Sequence, residues 1–275
     1  MEFASLCLSL GKGVDIITNT NATLEQYPLE YTSQIVEKMK AQGANFLFAS
    51  SVKEIAKEEE GVYIVRTADG KEIKTNYVLA AVGRKANVEG MNLEGIGIKA
   101  SARGIEVDSH MRTTVKNIYA SGDVVDKRIP KLTPTAEFES NYIALDIALP
   151  INKKIKYPVV PNLVFTLPRI AQVGVSIKEA NENPNLYRIE KVELGKTMSW
   201  LNKNQRNEHI TYVFNRKKYL VGAAILSDDA GAYIDVLTLI INMKLGVRQL
   251  SKMIFAFPTQ TYGLISSLIP LMLKK

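Results

Sequence analysis

The residues best placed to do chemistry are Gly122 and Asp123, which close the run Thr-Val-Lys-Asn-Ile-Tyr-Ala-Ser-Gly-Asp at 114–123. A carboxylate offers two acceptor oxygens, well suited to the hydroxyls of a ribose or ribityl chain. Glycine beside it lets the backbone approach whatever lies beyond. Nine residues after Asp123 comes Leu-Thr-Pro-Thr-Ala at 132–136, then a helix-like run over 137–144. Backbone amides at a helix N-terminus suit partly negative ligand atoms. A strand, a turn and a capped helix would account for either piece alone; the two at this spacing favour a ligand.

To position these residues, 118–120 must be a short buried strand, because apolar and aromatic residues bounded by turn formers suit one. Upstream, 2–10 carries helical apolar spacing ended by Gly11 and Gly13, and 14–17 is a strand. Residues 31–42 form an amphipathic helix stopped by Gly43, and 45–48 the next strand. Strands and helices alternating at this pitch predict a parallel α/β sheet. The pattern then changes to a β-meander over 52–55, 62–65 and 71–73, with Glu-Gly and Asp-Gly turns. A continuous apolar strand is expected at 77–82, ending in Gly83-Arg84. From Pro150 the composition shifts, and a Pro-punctuated linker at 157–161 leads into strands at 187–194, 210–215 and 219–226. Helices at 232–243 and 247–253 complete an antiparallel α+β layer, the first able to bury against its own sheet or a second subunit.

The segments "TTVKNIYASGD" and "LTPTAEFESNYIA" together resemble the second flavin-binding signature of the glutathione reductase and dihydrolipoamide dehydrogenase family, the FAD-dependent pyridine nucleotide-disulfide oxidoreductases. The resemblance implies that Asp123, with Gly122, holds the ribityl chain, and that Thr133 and Ala136 belong to the turn near the flavin pyrimidine edge. "AAVGRKANVEG" resembles the family's crossover between nicotinamide and flavin domains, which implies cofactor contacts for Gly83 and Arg84. Ala86 stands where the family has proline, and a surface ion pair explains Arg84 equally well. "MEFASLCLSLGKGVDII" matches the nicotinamide domain from within its first helix, which adds Glu2 to the cofactor-binding candidates. "VPNLVFTLPRIAQVGVSIKEA" resembles the start of the dimerisation domain.

The resemblance thus implies a mixed fold, α/β plus α+β. An incomplete Rossmann-type NAD(P) domain spans 1–80, part of an FAD domain 81–149 and a dimerisation domain 150–275. A dinucleotide unit opens on a strand and a Gly-rich turn, and neither precedes the first helix here. The expectation is therefore a fragment of a homodimeric flavoprotein whose cofactors are FAD and NAD(P), passing a hydride from nicotinamide to flavin and on to a disulfide or other small-molecule acceptor. The alternative is a folding and dimerisation module without catalysis in the isolated chain. After 14–17 the family places the residue that selects the coenzyme; Thr-Asn-Thr-Asn at 18–21 supplies neither an acid for NAD nor an arginine for NADP, so both coenzymes stay open, the missing acid tilting only slightly towards NADP.

The family's catalytic histidine, and its glutamate five residues later, are replaced in "IFAFPTQTYG" by Phe257 and Tyr262. Neither suits proton transfer at neutral pH, an unperturbed phenol titrating near about 10. No catalytic residue is therefore assigned. His110 and His209, the only histidines, read as surface residues. Net charge is +7, but the clusters Asn-Lys-Lys-Ile-Lys at 152–156 and Arg-Lys-Lys at 216–218 are short, the latter a hairpin turn. Neither has the aromatic interleaving of a nucleic-acid face. The single cysteine, Cys7, excludes an internal disulfide and a Cys-pair metal site; it reads as a small core residue, and no metal site is expected. No apolar run reaches transmembrane length, and the N-terminus lacks a signal peptide's basic start, so no membrane partner and a cytoplasmic location are expected.

Overall fold

Helix α1 (Glu2–Ser9) is followed by β1 (Val14–Ile17), α2 (Leu29–Ala41) and β2 (Ala44–Leu47). β1 and β2 pair in parallel from Val14↔Ala44 to Ile17↔Leu47, with α2 as the crossover that parallel pairing requires. α2 forms because Tyr31, Ile35 and Met39 recur at four-residue intervals and give one buried stripe. Lys38 and Lys40 in its last turn complement the helix dipole. The antiparallel meander is β3 (Val52–Glu59), β4 (Val62–Thr67) and β5 (Glu72–Thr75), in that order.

The computed structural model describes residues 1–149 and 153–274; the boundary expected at Pro150 and the Asn152 of the basic cluster lie outside the described residues. Met1–Leu79 and Pro161–Lys275 make one compact unit and Ala80–Val160 a second. The stretches expected as first and third domains thus share a core: Leu8, Tyr31, Ile35 and Met39 pack with Ile170, Ala224 and Leu226.

Within the second unit, β6 (Ala100–Ser101) and β7 (Gly104–Ile105) form a minimal hairpin, and α3 (Thr133–Ala148) is the main helix. Ile98, Ile105, Met111, Ala120 and Val125 form the core, with Tyr142 and Ile143 of α3 against it. α3 is inverted relative to an ordinary surface helix. It buries Thr135, Glu139 and Asp146, while Leu145 and Ile147 are 53% and 62% exposed.

The rest of the first unit contains β8 (Asn162–Val164), β9 (Arg169–Gly174), α4 (Ile177–Glu182), β10 (Tyr187–Glu193), α5 (Met198–Leu201), β11 (His209–Asn215), β12 (Leu220–Ser227), α6 (Ala230–Asn242), α7 (Val247–Leu250) and α8 (Gln260–Leu273). Five strands form an antiparallel sheet in the order β10-β11-β12-β9-β8, and residues 216–218 make the expected turn between β11 and β12. α6 packs one face on β9 and β12 through Tyr233, Ile234, Leu237 and Ile240, so its own sheet takes that face. Tyr31 Oη and Thr211 Oγ1, both buried, are 2.7 Å apart and tie α2 to β11.

Four expectations need correction. Residues 77–82 are not a strand: no described strand pairs with them, and Val82 is 95% exposed. A strand exists through its ladder, which apolar side chains cannot supply. Residues 118–120 likewise form only one antiparallel bridge, Arg112↔Tyr119, although Ala120 is buried as expected. Cys7 is half-buried, because α1 turns Ser5 and Leu8 inward instead. Both histidines are half-buried: His209 stacks on Tyr31 at 6.2 Å, and His110 Nδ1 lies 3.0 Å from Tyr142 Oη.

Candidate functional site

Gly122–Val124 is a single 3₁₀ turn, entered from extended Ser121. Gly122 sits at φ +77°, a conformation that glycine adopts without steric cost. It is buried against α3, so that a Cβ here would lie 3.2 Å from Ala136 Cβ. The turn therefore brings together Gly122, Asp123, the start of α3 at Thr133, and Ala136. The Asp123 side chain is 59% exposed and its carboxylate is turned outward. Lys131 Nζ donates to the carbonyls of Asp123 and Arg103, both at 2.9 Å, and staples the turn from below. The first-turn amides of α3 have no preceding carbonyl within the helix. Thr135, in the same first turn, has a buried hydroxyl without a hydrogen-bond partner among the described residues.

The chief residue that sequence reasoning missed is Glu139. Its side chain is fully buried, and it gathers three donors: Gly122 N at 2.6 Å, Lys127 Nζ at 2.5 Å and Tyr157 Oη at 2.7 Å. Burial, and then the bond to Glu139, push the Tyr157 phenol well above its ordinary value. The available signal was helical spacing: Thr135, Glu139, Tyr142 and Asp146 fall on one side of α3. A polar stripe of that kind reads as the solvent face unless the inversion is known.

Gly83 and Arg84 lie on an exposed stretch, Gly83 at φ +140° with nothing within 4 Å of the point a Cβ would occupy. Arg84 Nη1 is 3.9 Å from Asp123 Oδ2 with both side chains mostly exposed, so the ion-pair reading of Arg84 holds and its partner is the candidate ligand-binding acid itself. Such a pair contributes roughly 0–1 kcal/mol. Glu2 belongs to the other compact unit, where its Oε1 accepts from Phe165 N at 2.8 Å.

In that unit a cleft of about 200 Å³ lies beyond the carboxyl ends of β1 and β2, lined by Asn21, Thr23, Thr32, Ser33, Lys40 and Phe48. Open α/β sheets bind ligands at that edge. Thr18 and Thr20, from the stretch where the family selects its coenzyme, spend their hydroxyls on each other at 3.0 Å and on Ala22 O at 2.6 Å. A second cleft, about 400 Å³, is lined by Glu30, Tyr31, Lys191, Glu193, Lys196 and His209. Its lysines are paired with its glutamates. Among the described residues no group of His, Cys, Asp and Glu side chains could hold a metal ion, and no helix is long and apolar enough to cross a membrane.

Residues 1–140 match the pyridine nucleotide-disulphide oxidoreductase family, and residues 160–264 match the dimerisation domain of the same family. The chain belongs to that family. It is 30% identical over 262 residues to the dihydrolipoyl dehydrogenase of Chlamydia muridarum, covering 94% of this chain and 55% of that protein. To the mercuric reductase of Bacillus cereus it is 27% identical over 268 residues, covering 96% and 42%. The chain thus spans about half the length of the curated relatives it matches. LpdA from Mycobacterium tuberculosis superposes with a TM-score of 0.88 at 21% identity, over 98% of this chain and 59% of that one. The flavoprotein disulfide reductase RclA from Escherichia coli does so with a TM-score of 0.85 at 22% identity, over 98% and 61%. These superpositions establish the shared fold, α/β plus α+β.

Within this family member, Phe257 and Tyr262 pack edge to face at 5.1 Å, and Phe257 is 64% exposed. Thr259 Oγ1 accepts from Tyr262 N at 3.1 Å and caps α8. The substituted segment is locally ordered, its two rings packed on one another at the start of α8.

Proposed function

We propose that the chain carries the nicotinamide-side, flavin-turn and dimerisation parts of a homodimeric oxidoreductase that uses FAD and NAD(P)H and reduces a disulfide or another small-molecule acceptor. The observation that carries this reading is the Gly122–Asp123 turn lying against the N-terminus of α3. Its donor set fits a flavin. Asp123 accepts from ribityl hydroxyls, the first-turn amides at Thr133 and Thr135 donate towards the pyrimidine edge, and Ala136 supplies a small wall. Gly83 leaves open space along the backbone, and Arg84 can exchange Asp123 for an anionic part of the ligand. Bound flavin supplies a two-electron relay between nicotinamide and acceptor. The cleft beyond β1 and β2, where Glu37 and Lys40 pair, suits the coenzyme's adenosine end, and 18–21 carries neither the acid that selects NAD nor the arginine that selects NADP. Glu2, bonded to Phe165 N, supports that side by fixing the start of α1. With Phe257 and Tyr262 in place of an acid-base pair, protons for the reduced acceptor come from solvent or from another group. A cytoplasmic location accompanies this reading, consistent with the lone cysteine.

Titration of the purified chain with FAD, followed by flavin fluorescence, tests the proposal. Binding should saturate, more weakly than for relatives of twice the length, and Asp123→Ala should weaken it at least about tenfold, since a hydrogen bond to a charged group contributes roughly 1.5–3 kcal/mol. Equal titrations for the two proteins would sink the reading.

A further inference from the structure

We infer that Glu139 is the positioning residue of the Asp123 turn, through a carboxylate that fixes the left-handed Gly122 and so sets the direction in which Asp123 is presented. The inference rests on the reading of that turn as a flavin site and assigns it a residue that touches no ligand.

The Glu139 side chain has no solvent exposure, and that of Lys127 only 8%. A buried carboxylate persists only when its lone pairs are taken up by donors. Oε1 receives two, the Lys127 ammonium and the Tyr157 phenol. Oε2 receives the Gly122 amide at 2.6 Å. The Gly122 amide belongs to the residue whose φ of +77° turns the chain from extended Ser121 into the Asp123 turn. Charge-assisted hydrogen bonds are shorter, stronger and more directional than neutral ones. The two oxygens thus divide the work. Oε1 anchors the carboxylate to the segments before and after α3, and Oε2 orients one peptide plane. Because Glu139 sits on α3, it also fixes the turn relative to the same helix whose first amides complete the site.

Glu139→Gln is the test, because glutamine keeps the shape and an acceptor but loses the charge and brings an NH₂ towards a lysine. Labelling with ¹⁵N-glycine reduces the spectrum to the 17 glycine amides. In the unaltered chain the Gly122 amide should resonate downfield and exchange slowly. In Glu139→Gln it should move upfield and exchange at least about tenfold faster, as a local opening does. Should the unpaired Lys127 prevent folding, Lys127→Met/Glu139→Gln removes the stranded charge and reads the same amide with the same expected shift. A Gly122 amide unchanged in position and exchange in a folded glutamine variant would overturn the inference. Adding FAD to the same samples separates the two readings. If FAD leaves the unaltered chain's Gly122 signal in place, the flavin reading falls, while the response to Glu139→Gln still decides the role of Glu139.

Discussion

Gly122→Ala tests both the turn and its seat on α3. Two costs add. At φ +77° an L-residue pays roughly 1–2 kcal/mol, because its Cβ approaches the following carbonyl. The new Cβ would also lie 3.2 Å from Ala136 Cβ, tighter than ordinary contact, so the turn or α3 must shift by a few tenths of an ångström. Mild overpacking of that kind adds about 1 kcal/mol. The expected destabilisation is about 2–3 kcal/mol, equivalent to roughly 30- to 150-fold in an equilibrium constant. The only tryptophan, Trp200, belongs to the other compact unit, so its fluorescence does not report this site. Amide exchange over 80–160 is the suitable assay, and its slowest protons should accelerate by that factor. Ala136→Gly supplies the second axis of a cycle. It removes the opposing methyl at a helix cost of roughly 1 kcal/mol. In its background Gly122→Ala should cost about 1 kcal/mol less, leaving only the backbone part. A Gly122→Ala chain within about 0.5 kcal/mol of the original would refute a left-handed Gly122 packed on Ala136.

Tyr31→Phe should cost about 1–2 kcal/mol in urea unfolding, since it strands the buried Thr211 hydroxyl 2.7 Å away. Arg84→Met should change stability by less than about 0.5 kcal/mol, its 3.9 Å ion pair being exposed; a larger loss would mean that the pair is structural. Burial raises the Glu208 carboxyl above its ordinary value, and its Oε2 has no hydrogen-bond partner among the described residues. A raised carboxyl binds its proton more tightly when folded, so its contribution is complete below the unfolded carboxylate value and is lost as pH rises through the folded one. Glu208→Gln should therefore gain stability relative to the original chain on going from about pH 4 to about pH 8, and parallel stability curves would contradict this.

Much of the fold could be read directly where one side of an element alone decides its environment. The spacing of Tyr31, Ile35 and Met39 predicts α2, and the Glu-Gly and Asp-Gly turns predict the meander. Residues 77–82 have strand-like side chains, but a strand also needs a neighbour, which no local pattern can encode. The same limit hid the shared core of α2 with β9 and β12, built from residues more than a hundred positions apart. At the candidate site, the turn at Gly122 and the start of α3 were legible because glycine and proline punctuate the chain there, whereas the roles proposed for Asp123 and Thr133 come from the family resemblance. Glu139 was not, because α3 turns its acids inward and Leu145 and Ile147 outward, so that periodicity points to the wrong face.

Gly174 and Gly222 face each other across β9 and β12, and each would drive a Cβ to 2.1 Å from a backbone oxygen of the opposite strand, Val221 O and Val175 O respectively. Because backbone, not a side chain, occupies the space on both sides, no second substitution can relieve the first. Mutational drift therefore has no stepwise route away from either codon, and a library randomised at both would return glycine at both. Any ranking of positions by invariance would place this strand pair beside the acid proposed to bind a ligand. The two would be told apart only by exposure: the glycines are fixed by what already touches them, whereas Asp123 is sterically free to vary and would be held only if the proposed ligand is bound there.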